Sequence, residues 1–326
     1  MFSHRVLLKQ SWGLAWKHKY LWFLGLFASL TAAGGSWEYQ LITQGSNQGL
    51  IDGTYYRLSG ILAVAELIKN FYSGLGELFR YDFWTILNAL TLLLAVVLLL
   101  GVFIWLAITC QAALVNDVKK INDNKKKEPS LSLRDSLTAG HKHFWSILGL
   151  NILIKVAVSL TLFIISLPLL FMALRDSAGL AAVYMILFII FVPVALGLSL
   201  ILKYAIAYRV LDNKSLVASL EKAGKLFKQN WLVSLEMAII LFIINFLASG
   251  LILIVIVLFL LPLLLLGLIF NMMWVIMLVM LLAITVIVVS GSLLTTFQIA
   301  TWTNLFLRLK EKGGLAKLER AFQRRA

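Results

Sequence analysis

The sequence predicts an all-α integral membrane protein with six transmembrane helices, arranged as three hairpins that each follow a cytoplasmic amphipathic helix. Three observations support this fold class. The 326 residues are 61% hydrophobic and 13% charged, whereas soluble domains are about 45–50% apolar and about 25% charged. The apolar residues lie in long runs that basic loops separate. A short pattern also recurs three times, and each copy directly precedes an apolar run.

Six apolar runs approach the length of about 20 residues that a helix needs to cross the hydrocarbon layer. In chain order they are Tyr20–Gly35, Trp84–Leu114, Phe144–Met172, Leu180–Tyr208, Trp231–Leu261 and Asn271–Phe297. The first run is short and follows basic residues, as the apolar part of a signal peptide does. No small-x-small cleavage site follows it, so we expect a retained first span.

The fifth run has no clear end, because Glu236 is the only charged residue over positions 231–270. One helix over this stretch would be about 60 Å long, roughly twice the hydrocarbon thickness. The helix-breaking residues in it are Pro262, Gly267 and Asn271. We therefore expect a hairpin turn at about 262–271. Splitting the run into two spans instead would give seven spans.

The distribution of basic residues decides between six and seven spans. Most of the 29 Lys and Arg residues lie in the N-terminal segment, in the loops after the second and fourth spans, and in the C-terminal tail. Lys and Arg concentrate in cytoplasmic loops. Six spans place all four segments on one side, with both termini in the cytoplasm, whereas seven would place the basic tail outside. Six spans are therefore predicted.

The recurring pattern occupies Leu8–Leu24, Ser132–Leu148 and Ser219–Leu235, and the copies align without gaps. Each copy ends in basic or amide residues and then an aromatic residue, as expected at a membrane–water interface. In the third copy the apolar residues recur at helical spacing, which predicts a helix lying in the headgroup layer. We call these three segments the leader helices. The predicted lipid-interface anchors are Trp16, Lys17, Tyr20, Lys142, Phe144, Lys225, Lys228 and Trp231.

The repeat divides the chain into three hairpin units and a tail. The units are residues 1–115, with an outer amphipathic insertion at 36–83, then 116–210 with the basic loop, then 211–308, and last the basic cytoplasmic tail at 309–326. All three units have the same orientation, so any symmetry axis runs along the membrane normal.

Polar residues inside the spans are the candidates for a functional site, because such residues are costly there. They are Asn151, Lys155, Lys203 and Glu236. Structural roles account for each: Lys203 snorkels to the inner headgroups, and Glu236 pairs with Lys203 or a leader lysine. Asn151 and Lys155, one helical turn apart, bond neighbouring helices. The alternative is a polar path, or a site for an anionic headgroup, around Lys155.

Motifs for catalysis and cofactor binding are absent from the sequence. It contains no GxSxG, HExxH, P-loop, GxGxxG or CxxC pattern, and its single cysteine, Cys110, excludes a disulfide framework. The pair His141 and His143 has no cysteine or acidic partner nearby, so a zinc site is not expected. We predict no catalytic residue, no cofactor and no metal. The basic residues follow the membrane topology, so nucleic acid is not a predicted partner.

The stretch Tyr208–Trp231 combines the end of a span, a serine- and lysine-containing helix and the aromatic residue that opens the next span. It resembles bacterial polytopic membrane proteins of the YciC type and the membrane domain of glycerophosphoryl diester phosphodiesterase. The resemblance implies a multi-pass protein of the bacterial cytoplasmic membrane and supplies no catalytic residues. No soluble segment is long enough for the phosphodiesterase barrel.

The sequence is compatible with three functions. The first is a non-catalytic scaffold that organises the inner leaflet through anionic headgroups, with a protein partner or a homo-oligomer left open. The second is a transporter or lipid-handling protein with a polar path around Lys155. The third is an intramembrane enzyme, which lacks a nucleophile–base pair. The scaffold is favoured because transporters usually carry more intramembrane polar groups or unwound Gly/Pro segments.

Overall fold

The computed structural model describes residues 4–31, 83–123, 132–157, 160 and 178–312, and helices joined by short turns make up these residues. Its helices are α1 (His4–Lys17), α2 (Tyr20–Ala28), α3 (Phe83–Asp123), α4 (Leu133–His141), α5 (Phe144–Ala157), α6 (Ala178–Asp212), α7 (Leu216–Gln229), α8 (Trp231–Val255), α9 (Leu261–Ile269) and α10 (Met273–Lys312). The prediction of an all-α fold is confirmed for these residues.

Among the residues that the structure describes, four helical stretches are long and apolar enough to cross a membrane. They are Trp84–Asp123, Ile189–Asp212, Trp231–Ile269 and Met273–Glu311. Their positions correspond to the predicted second, fourth, fifth and sixth spans. The chain therefore has the helices of a multi-pass membrane protein.

The predicted first and third spans are described only in part. Helix α2 has nine residues, which give about 14 Å of helix, too little to cross the hydrocarbon. Helix α5 is a shorter apolar helix. Residues 29–31 follow α2 as a turn and a bend. Residues 32–35 of the first span and most of the third span beyond Ala157 lie outside the described residues, as do nearly all of the predicted outer insertion and most of the tail.

The turn that follows the fifth run lies within the predicted range of about 262–271, and the helix continues past Leu261 before it. The chain stays helical from Trp231 to Ile269, and no turn divides this stretch. A π-helical segment, Ile256–Leu260, directly precedes α9, which carries Pro262 in its first turn. A proline's missing N–H costs least at a helix start, and the local change in hydrogen-bond register lets the chain continue.

A tight turn joins α9 and α10 at the far end of the predicted range. Asn271 adopts a left-handed backbone with φ 52°. The Met272 N–H donates to Gly267 O at 2.8 Å, and the Asn271 N–H donates to Leu268 O at 3.2 Å. This is a Schellman motif, in which asparagine is the usual substitute for glycine. A side chain at Gly267 would come within 3.1 Å of Ile276, so the two helices approach closely.

Two compact units divide the chain. The first comprises Met1–Gly35, Leu106–Ile154 and Ser199–Ala326, and the second comprises Ser36–Trp105 and Lys155–Leu198. The described helical segments of the second unit are apolar and largely exposed, as Leu92 and Ile189 illustrate. The core described next lies in the first unit.

Helix α10 is central to the first unit, and α1 and α2 pack along its C-terminal half. The Thr296 hydroxyl donates to Leu21 O at 3.0 Å, and the Ser292 hydroxyl donates to Trp22 O. On another side of α10, the Tyr208 ring of α6 packs edge-on against Phe306 at 4.7 Å between centroids. Helix α10 thus packs against the N-terminal helices α1 and α2 and against α6 from the middle of the chain.

Away from this core, the helices of the first unit present apolar side chains to their surroundings. Leu251 in α8 is 66% exposed, and Met277 and Leu281 in α10 are 69% and 66% exposed. Soluble monomers rarely expose contiguous apolar patches larger than a few hundred Å². Lipid is the environment that suits these surfaces.

Gly25 allows α2 to touch α10, because a Cβ there would overlap the Thr296 hydroxyl and lie 2.6 Å from Ser292 O. Gly25→Ala should therefore destabilise the protein by about 1–3 kcal/mol, the usual cost of overpacking. Cys110 is the only cysteine and is fully buried, so its labelling by a thiol-reactive dye during heating measures unfolding.

Gly250→Ala is the matched control, because a Cβ at Gly250 meets nothing within 4 Å. Alanine is a better helix former than glycine by about 1 kcal/mol, so this variant should unfold at an unchanged or higher temperature. Equal shifts of the two variants would contradict the close approach of α2 and α10.

Candidate functional site

A chain of hydrogen bonds links α1, α3 and α10 inside the first unit. Asn304 donates from Nδ2 to Ser11 Oγ at 2.8 Å and accepts at Oδ1 from Asn122 Nδ2. Gln10 donates from Nε2 to Asn122 Oδ1 at 2.8 Å, and Arg308 Nη2 reaches Gln10 Oε1 at 3.4 Å. Ser11 and Asn304 are buried. The side-chain amides of Gln10, Asn122 and Asn304 therefore each join helices that are distant in sequence.

Sequence reasoning missed this polar chain. The available signal was the run of polar residues in the C-terminal part of α10, which are Thr295, Thr296, Thr301, Thr303 and Asn304. These side chains lie close to the basic tail, where polar residues are ordinary. Nothing in a single sequence says that Asn304 meets Ser11.

The polar residues that the sequence analysis singled out lie in different parts of the structure. Asn151 is buried and donates from Nδ2 to Gln111 Oε1 at 3.2 Å and to Ile147 O at 2.9 Å. Lys155 is exposed and belongs to the second unit. Asn151 thus makes a hydrogen bond between α5 and α3, as the structural interpretation of this residue predicts.

Lys203 is half-buried, and its Nζ lies 4.9 Å from the centroid of the Trp302 ring. This distance is within the range of a cation–π interaction. The two side chains and Gln111 line a small cavity of about 20 Å³. Asn151 donates to Gln111, so Asn151, Gln111 and Lys203 lie close together in the first unit.

Glu236 lies elsewhere, at the mouth of a cleft between α1, α8 and α10. The cleft has a volume of about 1000 Å³. Its walls are formed by His4, Arg5, Leu8, Lys9 and Trp12 of α1, Glu236, Ile239, Ile240 and Ile244 of α8, and Phe297 of α10. All ten residues belong to the first unit.

Helical spacing explains why these side chains line one cleft. His4, Leu8 and Trp12 are four residues apart on α1, and Glu236 and Ile240 are four apart on α8, so each set lies on one helix face. His4 Nε2 donates to Glu236 Oε2 at 2.9 Å and ties the two helices together at the polar end. The opposite part of the cleft is apolar.

The cleft also has an aromatic wall. The rings of Trp12 and Phe297 meet edge-on at 5.6 Å, and Trp12 stacks on Trp16 at 5.9 Å. Both tryptophans remain about half exposed. Aromatic rings of this kind are typical of the boundary between headgroups and acyl chains.

Each leader helix ends just before the predicted aromatic residue. Helix α1 ends at Lys17 and α2 begins at Tyr20; α4 ends at His141 and α5 begins at Phe144; α7 ends at Gln229 and α8 begins at Trp231. Among the predicted anchors, Tyr20 and Phe144 are half-buried and the others are exposed. The exposed set is Trp16, Lys17, Lys142, Lys225, Lys228 and Trp231.

Helix α7 separates its apolar residues between two sides. Ala223 and Leu226 are buried in the first unit, whereas Val217 is 75% exposed and Trp231, which follows α7, is 54% exposed. The lysines of α7 are exposed as well. Lys225 Nζ lies 2.7 Å from Glu221 Oε1, and this hydrogen bond, with the lysine charge, lowers the pKa of that carboxyl.

Comparison with known proteins found no matching family model, no matching curated protein and no matching solved structure. The resemblance of Tyr208–Trp231 to the YciC type therefore stays a prediction. Over the part of the chain that the structure describes, no group of three or more His, Cys, Asp or Glu residues could hold a metal ion.

Asn304→Ala should destabilise the first unit, because Ser11 and Asn122 would each lose a hydrogen-bond partner. Leaving a buried polar group without a partner costs about 1–3 kcal/mol. The midpoint of Cys110 labelling on heating would then fall. Thr285→Val on the same helix is the control, since Thr285 is exposed and its hydroxyl donates to Leu281 O. A stability of Asn304→Ala equal to that of the control would contradict this role.

Proposed function

We propose that the protein is a non-catalytic scaffold of the bacterial cytoplasmic membrane, which organises the inner leaflet by binding anionic headgroups. It has six spans in three hairpins, both termini are cytoplasmic, and its leader helices lie in the headgroup layer. A homo-oligomer or a protein partner would add to this arrangement.

The exposed surface of α7 carries the proposal. Val217 is 75% exposed and Leu220 is half-buried on this helix, and Lys222, Lys225 and Lys228 are exposed. Such a surface suits neither water nor hydrocarbon alone. It suits an interface, where the apolar side enters the acyl boundary and the lysines meet the headgroups. Each lysine near an anionic leaflet contributes about 1 kcal/mol.

The contacts of the first unit support one basic side. The end of α3 meets the end of α10 through Asn122 and Asn304, and the end of α6 meets it through an ion pair of Asp212 with Lys310 at 2.7 Å. Tyr204 of α6 bonds to Ser234 at the start of α8 at 2.7 Å. The helix ends that border the basic loops therefore lie together, as a single cytoplasmic face requires.

The alternative function, a transporter or lipid-handling protein with a polar path around Lys155, stays a prediction. On that hypothesis Lys155→Leu abolishes transport in proteoliposomes while the protein still inserts. On the scaffold hypothesis the same variant keeps the anionic-lipid preference described next.

The triple substitution Lys222→Gln, Lys225→Gln and Lys228→Gln should reduce the preference of the reconstituted protein for anionic lipid. Three lysines at about 1 kcal/mol each correspond to roughly a hundredfold at most, so we expect at least a tenfold fall in association with spin-labelled phosphatidylglycerol relative to phosphatidylcholine. The wild-type preference should weaken as salt rises, because salt screens exposed charges.

The matched control replaces the same three lysines by arginine, which keeps the charge and should keep the lipid preference. If wild-type protein associates equally with the two lipids at low salt, the scaffold proposal is wrong.

A further inference from the structure

We propose that the cleft between α1, α8 and α10 is a site for one anionic glycerophospholipid, with its phosphate at Arg5 and Lys9 and an acyl chain along the isoleucines of α8. The location of the headgroup in the inner leaflet rests on the proposed function. The site itself rests on the residues that line the cleft.

The size of the cleft suits a whole lipid segment. Its volume of about 1000 Å³ is at the upper end of the range for small-molecule sites, about 300–1,000 Å³. A bare phosphate ion would fill a small part of it. The occupant must therefore bring apolar volume as well as charge.

The charges are concentrated at one end of the cleft. Arg5 and Lys9 are exposed on one face of α1, one helical turn apart, so both side chains can reach one phosphate. The carboxylate there, Glu236, is hydrogen bonded to His4, which directs a proton donor at its negative charge. The two cations outnumber that single acid, so the end attracts an anion.

The apolar wall runs away from this charged end. Ile240 and Ile244 follow Glu236 at one and two turns along α8, so the wall extends about 12 Å. Phe297 of α10 adds an aromatic surface. A headgroup at α1 and a chain along α8 place each part of one amphiphile against its matching surface.

This arrangement differs from the headgroup binding of α7. There the lysines lie on an open surface, where lipids exchange freely. In the cleft the lipid contacts three helices, and this larger contact predicts slow dissociation. We expect one phosphatidylglycerol to remain bound to the purified full-length chain in mild detergent.

Native mass spectrometry of the full-length protein tests the site by counting bound lipids after titration with phosphatidylglycerol, phosphatidylcholine or inorganic phosphate. Wild type should retain one phosphatidylglycerol, and far less phosphatidylcholine. Arg5→Gln with Lys9→Gln should weaken that lipid about tenfold or more, as expected for the loss of two cations near a phosphate. Lys222→Gln with Lys225→Gln, which removes two lysines from α7, should leave it bound.

A second pair of variants tests the apolar wall. Ile240→Trp fills the cleft and should prevent retention of the lipid, whereas Ile243→Trp adds the same bulk on the exposed side of α8 and should not. Cys110 labelling on heating checks that both variants are folded. If Ile240→Trp fails to fold, the Arg5 and Lys9 variant and the competition with phosphate decide the question.

The outcomes separate this site from the scaffold function. Equal retention of phosphatidylglycerol by wild type and by the Arg5 and Lys9 variant would overturn the cleft site, whatever the α7 variant does. Complete displacement of the lipid by inorganic phosphate would also overturn it, because the apolar wall would then contribute nothing. One retained phosphatidylglycerol in detergent, with no lipid preference in proteoliposomes, would support the cleft and remove the scaffold function.

Discussion

The packing of the first unit depends on polar contacts along the C-terminal half of α10. In a bilayer the hydrophobic effect does not drive helices together, because lipid tails are as apolar as leucine. Close packing and hydrogen bonds between helices must supply the attraction instead. The hydroxyls of Ser292 and Thr296 bind α2, and Asn304 joins α1 to α3. The apolar remainder of α10 is left to face lipid.

This division of α10 explains where a binding surface can form. Side chains that hold helices together are already engaged, as Asn151 is with Gln111. The charged groups that remain exposed include Arg5, Lys17 and Lys225 near the helix ends, with exposed tryptophans such as Trp16 beside them. These residues interact with headgroups and water, so the region available for recognition is the interface rather than the membrane interior. The cleft beside α1 is where this interface deepens enough to surround a ligand.

Much of the fold could be predicted from hydropathy and charge, since long apolar runs must become helices in lipid. The turn after the fifth run could be predicted only to within about 262–271, because Pro262, Gly267 and Asn271 can all end a helix. The structure has the turn at Asn271, after a π-helical segment and α9. Helical periodicity showed that α7 has an apolar face. It could not show that Ala223 packs against protein while Val217 remains exposed, because both are simply apolar in sequence.

The candidate sites were harder to predict for a related reason. The position of Lys203 near a helix end predicted a lysine that reaches the headgroups. In the structure it lies over the ring of Trp302, which is about 100 positions away, and residue spacing within one helix cannot predict this contact. The same holds for His4 and Glu236, which are separated by 232 positions. Periodicity describes single helices, whereas these sites are made where different helices meet.

The separation between α1 and its partners has a consequence for biogenesis. Ser11 and Asn304 are 293 positions apart, so the ribosome makes the first helix long before the helix that receives it. During that interval α1 has no docking surface on α10. The Ser11 hydroxyl can still donate to Leu7 O within α1, whereas the Gln10 side chain lacks its partners on α3 and α10. An amphipathic helix that lies on the membrane surface keeps its apolar face in the acyl boundary until α10 is made. This face is then not exposed to water, where it could aggregate. Assembly of the unit is therefore completed only after the last helix has left the ribosome.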